Sequence, residues 1–384
     1  MKSFDDAPFL VIWELTQACD LACVHCRACA IANRNPLELT TEEGFRLLES
    51  VREFGDPLMV FTGGDPLKRP DVFPLLEKSV KLGLRTTITP SATPLLTQEA
   101  IDRFQRCGVA RMAVSLDGPD AASHDGFRRV EGSFGRTALA LDYARQIGLA
   151  TQVNTTVTLH NLGRLDEIAE LVRASGAQLW SVFFLVATGR ASVSQDLSAE
   201  EYEEVFRFLY DVSKSAPFDI KTTEAQHYRR YVAQRRKAEH CSGDARQATP
   251  EVIQRQAGIN DGKGFVFISH TGEIYPSGFL PISAGNIRRD SLLDVYRYSP
   301  LFRTLRNADN MHGKCGDCEF RNLCGGSRSR SFALTGDYLA EDPRCVYRPK
   351  TTGARKRVAP EVVAIPRAGG PCEPLIQVQP ETFR

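Results

Sequence analysis

From residue 10 to about residue 222 the sequence alternates between short β-branched or apolar runs and segments of helical periodicity. That rhythm constrains the fold more than any other feature. A strand followed by a helix, repeated, builds βα units around a parallel sheet. Strands are expected at 10–15, 58–62, 84–89, 109–116, 151–159 and 178–186, and helices at 40–54, 70–82, 97–106, 134–147, 164–174 and 199–213. Thr40 with Glu43 forms a capping box at the start of the first helix, and Ser133 is placed to cap the fourth. Six units suit an open, partial (βα)6 barrel of the TIM type better than a closed eight-unit one.

A further strand is expected near 218–222 and a basic helix around 228–237, before polar sequence from Cys241 to Lys263 marks a boundary. Beyond it, 265–269 and 273–275 read as a hairpin turning at Thr271 and Gly272, followed by a helix over 291–305. The expected division is a barrel at 1–240, a small C-terminal domain at 241–348 and a flexible tail at 349–384. The tail is rich in Pro and Gly and has little periodicity.

Lys and Arg total 48 against 47 Asp and Glu, which leaves no global electrostatic footprint for nucleic acid. Asp5 and Asp6 stand where an export signal would be basic, and the longest later apolar run, 180–187, is far too short to span a bilayer. The expectation is a cytoplasmic protein with no membrane or nucleic-acid partner. Of the eleven cysteines, four lie within 19–29 and four within 315–345, a clustering that favours metal over disulfides. Cys107, Cys241 and Cys372 stand alone and are read as uninvolved thiols.

Cys19, Cys23 and Cys26 form C-x3-C-x2-C directly after the first strand, at the strand end where α/β barrels place their chemistry. Three thiolates at this spacing can hold three irons of a cubane and leave a fourth open. A zinc site or a chance cluster remains an alternative at this point, since Cys26 and Cys29 also give a C-x2-C pair. The motif, with His25 before its third cysteine, resembles the cluster loop of the radical S-adenosylmethionine (SAM) superfamily. The resemblance implies a [4Fe-4S] cluster that binds SAM and cleaves it reductively to methionine and a 5'-deoxyadenosyl radical, which abstracts hydrogen from a substrate. Cys29 falls outside the motif and is read as a bystander.

Further segments fit the resemblance. Gly63, Gly64, Asp65 and Pro66 follow the second strand and are similar to the family's GGEP loop, with Asp65 expected to accept from the SAM ammonium. Ser115, Asp117 and Arg128 lie in a stretch similar to the one that binds the SAM ribose and carboxylate. Asn154 in the fifth strand is expected to face the ribose, and Val186 opens a segment, running to Arg190, that resembles the adenine-bracketing one. No residue is assigned a catalytic role beyond these.

Cys315, Cys318, Cys324 and Cys345 supply four thiolates, enough for a closed cluster or for zinc. Their segment resembles the SPASM domain, which carries auxiliary [4Fe-4S] clusters. The full pattern serves two clusters, but Ser277 and Arg328 occupy positions where it has cysteine. The complete set therefore implies one auxiliary cluster, fully ligated by protein and passing electrons.

Residues 89–94, 182–190 and 272–281 resemble the branch that acts on tetrapyrrole side chains in alternative haem synthesis. The implied substrate is a haem-related tetrapyrrole altered or lost at a carboxylate side chain by oxidative decarboxylation. Arg229, Arg230, Arg235 and Arg236 on the basic helix are candidate partners for its propionates. A ribosomal peptide maturase is the competing reading, and a non-catalytic iron-sulfur or zinc protein the alternative of another class. A flavodoxin or ferredoxin is the expected electron donor.

Overall fold

The computed structural model describes residues 4–241 and 258–350. The expected tail from residue 351 onward, most of the polar boundary stretch and Cys372 lie outside the described residues.

The barrel rhythm is present in full. Its units are β1 (Leu10–Glu14) and α1 (Thr41–Glu53), β2 (Leu58–Thr62) and α2 (Val72–Lys81), and β3 (Arg85–Ile88) and α3 (Gln98–Arg106). After β4 (Arg111–Ser115) come two helices, α4 (Ala121–Arg128) and α5 (Ser133–Gln146). The series closes with β5 (Thr151–Val157), α6 (Leu165–Ser175), β6 (Leu179–Phe184), α7 (Ala199–Ser213), β7 (Asp219–Thr223) and α8 (His227–Cys241). Strands β1 to β7 pair in sequence order, all parallel.

Local chemistry explains the ends. The Thr40 hydroxyl accepts from the Glu43 amide while the Glu43 carboxylate accepts from the Thr40 amide, the capping box the sequence predicts. Ser133 does not cap α5. Gly132 takes that position with φ +78°, a left-handed geometry that favours glycine, and the Ser133 hydroxyl instead meets His124 Nε2 at 3.3 Å.

Alternation along each strand sorts the barrel into two faces. Val11, Trp13, Met59, Phe61, Met112, Val114, Val153, Trp180, Val182 and Ile220 point outward into one continuous core against the helices. The residues between them, such as Glu14, Thr62, Ser115, Asn154 and Lys221, face the lumen.

The hairpin, β8 (Phe265–Ile268) and β9 (Glu273–Tyr275), forms as expected, but its first strand also pairs in parallel with β1. With β10 (Gly285–Asn286) it extends the barrel into a ten-stranded sheet in the order β10-β9-β8-β1-β2-β3-β4-β5-β6-β7. The helix expected over 291–305 is two: α9 (Leu292–Tyr298) and α10 (Pro300–Arg306). Pro300 pushes Ser299 to ψ 133° and restarts the chain at a first-turn proline. Two further helices, α11 (Gly313–Asp317) and α12 (Arg328–Thr335), complete the described chain.

A buried polar hub ties α12 to the barrel. Arg330 pairs with Asp342 at 2.9 Å, donates to the Glu224 carbonyl at 2.7 Å and reaches the Tyr202 hydroxyl at 3.0 Å. Arg229 and Arg230 belong to this junction rather than to an open basic face. Arg229 donates to the Ile259 carbonyl, and Arg230 is paired with Glu203. Among the described residues no helix is long and apolar enough to cross a membrane.

Candidate active site

The loop after β1 carries Cys19, Cys23 and Cys26, and all three line one cavity of about 210 Å3 at the carboxyl end of the barrel strands. Main-chain groups around it are held from several sides. The last turn of α4 accepts from the loop through the carbonyls of Phe127 (from Val24 N, 3.1 Å) and Arg128 (from Ala22 N, 3.2 Å). Arg190 donates to the Cys23 carbonyl at 2.9 Å, and its own amide donates to the Cys26 carbonyl at 3.0 Å. Arg27 is ion-paired with Glu14 and lies over the Phe267 ring, 4.6 Å from its centre, so the loop is also fastened to the hairpin. His270 Nδ1 completes that contact, 2.8 Å from Glu14 Oε1.

The sulfurs are prepared for charge. Cys19 Sγ receives the Leu21 amide at 3.3 Å and lies 3.5 Å from Ser91 Oγ, and Cys26 Sγ receives the Ala30 amide at 3.5 Å. Arg128 Nη1 lies 3.6 Å from Cys23 Sγ. Burial nonetheless pushes the Cys19 thiol up to about 11 and raises Cys23, so a bound cation is what would make these thiolates. Soft sulfur donors in an enclosed, amide-lined loop fit an iron-sulfur cluster.

The predicted SAM-contact residues divide. Gly63, Gly64 and Ser115 line the same cavity as the three cysteines, and so do Arg128, Asn154 and Val186. Asp65, Pro66 and Asp117 stand behind it. The Asp65 carboxylate is fully buried and turned away, accepting from Thr93 Oγ1 at 2.7 Å and from the Leu67 amide at 3.2 Å. Asp117 is likewise buried and ion-paired with Arg128. Gly64 is required by the loop itself: a Cβ there would lie 2.4 Å from the Ala18 carbonyl oxygen. Its amide donates to the Thr16 carbonyl at 2.7 Å, as does that of Asp65 to Ala18, also at 2.7 Å.

Residues 13–173 match the Radical SAM superfamily model, and residues 260–319 match SPASM, an iron-sulfur cluster-binding domain. The chain is 42% identical over 346 residues to a protein of Nitratidesulfovibrio vulgaris named AdoMet-dependent heme synthase, covering 89% of this chain and 93% of that one. The chain belongs to the radical SAM superfamily. A Methanosarcina barkeri protein of the same name is 38% identical, with 91% of this chain and 99% of that one covered. In fold, the radical SAM chain is similar to Streptococcus suis SuiB bound to S-adenosylmethionine. The TM-score is 0.70 at 17% identity, with 89% of this chain and 78% of that one aligned.

Cys315, Cys318, Cys324 and Cys345 of this radical SAM enzyme stand around a second, smaller cavity walled by Phe320, Tyr347 and Gly325, and the first two lie within the SPASM match. Three of the sulfurs each receive a backbone amide: Cys315 from Asp342 (3.3 Å), Cys318 from Phe320 (3.4 Å) and Cys324 from Gly326 (3.3 Å). Four sulfur donors with backbone amides aimed at them fit a closed iron-sulfur cluster. Ser277 is buried against Ser329 and Asp261, and Arg328 Nη2 approaches Cys315 Sγ at 3.8 Å.

Sequence reasoning missed the residues that grip the cluster loop. Glu14, Arg27 and Arg190 act through main-chain and ion-pair contacts that no local spacing encodes. Gly189, at φ +61°, could have drawn notice as a glycine directly before Arg190.

Proposed function

We propose that this radical SAM enzyme acts on a haem-related tetrapyrrole, removing the carboxylate of a propionate side chain by oxidative decarboxylation. The observation that carries the reading is the likeness of about nine-tenths of the chain, at 38–42% identity, to proteins named AdoMet-dependent heme synthase. The bound SAM-binding cluster supplies reductive cleavage of SAM to methionine and a 5'-deoxyadenosyl radical. Gly63 and Gly64 offer backbone to the SAM amino acid moiety, Arg128 a cation, Ser115 and Asn154 hydroxyl partners for the ribose, and Val186 an apolar edge for adenine. Asp65 acts indirectly, by fixing the 91–93 turn against the loop.

Loss of a hydrogen atom to the radical and of the carboxylate as CO2 turns a propionate into a vinyl group and leaves one electron for an acceptor. A single auxiliary cluster on Cys315, Cys318, Cys324 and Cys345, fully ligated by protein, is suited to pass electrons, with a flavodoxin or ferredoxin as donor to the enzyme. The experiment is anaerobic: reconstituted enzyme with SAM, dithionite and an iron tetrapyrrole bearing propionates. Formation of 5'-deoxyadenosine together with a product lighter by the elements of formic acid supports the reading. Cleavage of SAM without any change in the tetrapyrrole mass refutes the substrate.

A further inference from the structure

His227 opens α8 with a fully buried imidazole, and neither ring nitrogen has a hydrogen-bond partner among the described residues. Tyr202 stacks on the ring with centroids 5.5 Å apart, and Phe206 meets it edge-on at 4.8 Å. Packed this way, the ring cannot swing out to water. Asp342 is the acid that faces it, but Oδ2 lies 3.7 Å from Nδ1, beyond hydrogen-bond range. That carboxylate is moreover already full. Arg330 Nε and the Arg344 amide donate to Oδ1, each at 3.0 Å, while Arg330 Nη2 and the Ser327 amide donate to Oδ2, each at 2.9 Å. A carboxylate has room for about four such bonds. The neutral imidazole carries one N–H whichever tautomer it adopts, and burying that donor unpaired is costly.

The missing acceptor lies in the cavity that the ring lines. His227 shares its wall with Cys315, Cys318, Cys324 and Cys345. Arg230, Lys314 and Arg321 stand on the same wall and can only donate, and the Tyr347 hydroxyl is engaged with Glu319. Sulfur is what remains. The other donors at this site already follow that pattern, since backbone amides point at Cys315, Cys318 and Cys324, and Arg328 Nη2 stands 3.8 Å from Cys315 Sγ. A hydrogen bond to sulfur favours the reduced form of an iron-sulfur cluster, because reduction adds negative charge where the donor points. The reduction potential rises accordingly.

We propose that His227 donates a hydrogen bond to a sulfur of the auxiliary cluster and holds the cluster's reduction potential up. It is a positioning residue, acting through the cluster rather than on the substrate. The inference rests on the reading of the four cysteines as a cluster site and adds the side chain that tunes it. The tuning gives electron flow a direction. After a hydrogen atom and CO2 have left the substrate, the electron that remains reduces the cluster by one and the substrate is oxidised by one. The cluster then returns to its oxidised form by passing that electron to an external one-electron carrier. A raised potential favours the first of these transfers.

The test is an anaerobic redox titration followed by electron paramagnetic resonance, on the iron-loaded full chain as wild type, His227→Phe and His227→Gln. Equal iron loading is confirmed first, and the signal that responds to SAM marks the other cluster. Phe keeps a ring between Tyr202 and Phe206 but removes the donor, whereas Gln restores an N–H. His227→Phe should make one-electron reduction of the auxiliary cluster roughly tenfold less favourable, a fall of about 60 mV, with the SAM-binding cluster unmoved. His227→Gln should recover part of the shift. An unchanged potential in His227→Phe, or an equal shift of both clusters, overturns the assignment. A measurement on the wild type keeps the test decisive if a variant loads iron poorly. With isotopically labelled histidine, pulsed resonance on the signal that ignores SAM should show a weak nitrogen coupling. No coupling, or the strong coupling of a coordinated imidazole, overturns the hydrogen bond. A wild type that loads iron for one cluster alone refutes the cluster reading of the four cysteines, and the hydrogen bond with it.

Discussion

Arg128 holds Asp117 through one terminal nitrogen and stands 3.6 Å from the Cys23 sulfur through the other. One guanidinium thus links the turn after β4 to the cluster loop after β1. Burial alone would push the Asp117 carboxyl up; the guanidinium, ahead of His25 and His124, brings it below the usual carboxylate range. Replacing Arg128 by Met leaves a carboxylate buried without its partner, which costs about 3–5 kcal/mol. Urea unfolding of the metal-free protein should show that loss, and the loaded protein should bind SAM more weakly. A variant of unchanged stability would show that Asp117 finds another partner.

Gly189→Ala strikes the cluster loop from the opposite side. The added Cβ would lie 2.4 Å from the Cys26 and Arg27 carbonyl oxygens, in a backbone of φ +61° that L side chains rarely adopt. The two contacts that Arg190 makes with the loop would move with it. The expected outcome is loss of about half the iron, from the SAM-binding site alone. Iron analysis and the response of the reduced cluster's electron paramagnetic resonance to SAM check it.

The two cysteine groups should separate by mutation. Cys23→Ala is expected to abolish SAM cleavage. Cys318→Ala should remove about half of the iron while leaving cleavage partly intact, because the second set closes around its own cavity. Full iron content in Cys318→Ala would refute the auxiliary site.

Glu224 predicts a pH dependence of stability. Burial first, then the nearby Asp261, raises its carboxyl pKa, against the opposing Ser327 hydrogen bond and Arg330. A raised native pKa means that the folded protein holds the proton more tightly than the unfolded chain. Its contribution is complete below the ordinary carboxylate range and is lost as pH rises through the native value. The wild type should therefore lose stability relative to Glu224→Gln between about pH 5 and pH 8. Urea midpoints of the iron-loaded proteins at both ends of that window measure it. Parallel midpoints would show that Glu224 is ionised in the fold.

Much of this was legible in the sequence because it is local. The β2 run from Leu58 to Thr62 lies between clear breakers, and Thr40 with Glu43 signals its own helix start. The three thiols, Gly63, Gly64, Ser115, Arg128, Asn154 and Val186 share one cavity, as expected of residues at strand ends. What escaped reading depends on distant partners. Asp65 follows two glycines and invites a ligand role, yet Thr93, in the loop between β3 and α3, captures it. Arg229 and Arg230 look like a basic face until the loop at Ile259 and Glu203 of α7 reach them. Pro300, by contrast, was a visible signal for the break between α9 and α10.

The parallel pairing of Leu10–Trp13 with Phe265–Ile268 has a consequence for how the enzyme is made. On the ribosome β1 emerges early, but the strand that covers its free edge is synthesised some 250 residues later. Until then β1 presents an unpaired edge, and Arg27 and Glu14 lack the ring and imidazole that complete their contact. Stable insertion of the first cluster therefore belongs at the end of synthesis. A chain stopped at residue 240 should be soluble only with help and should load iron poorly, however intact its three cysteines.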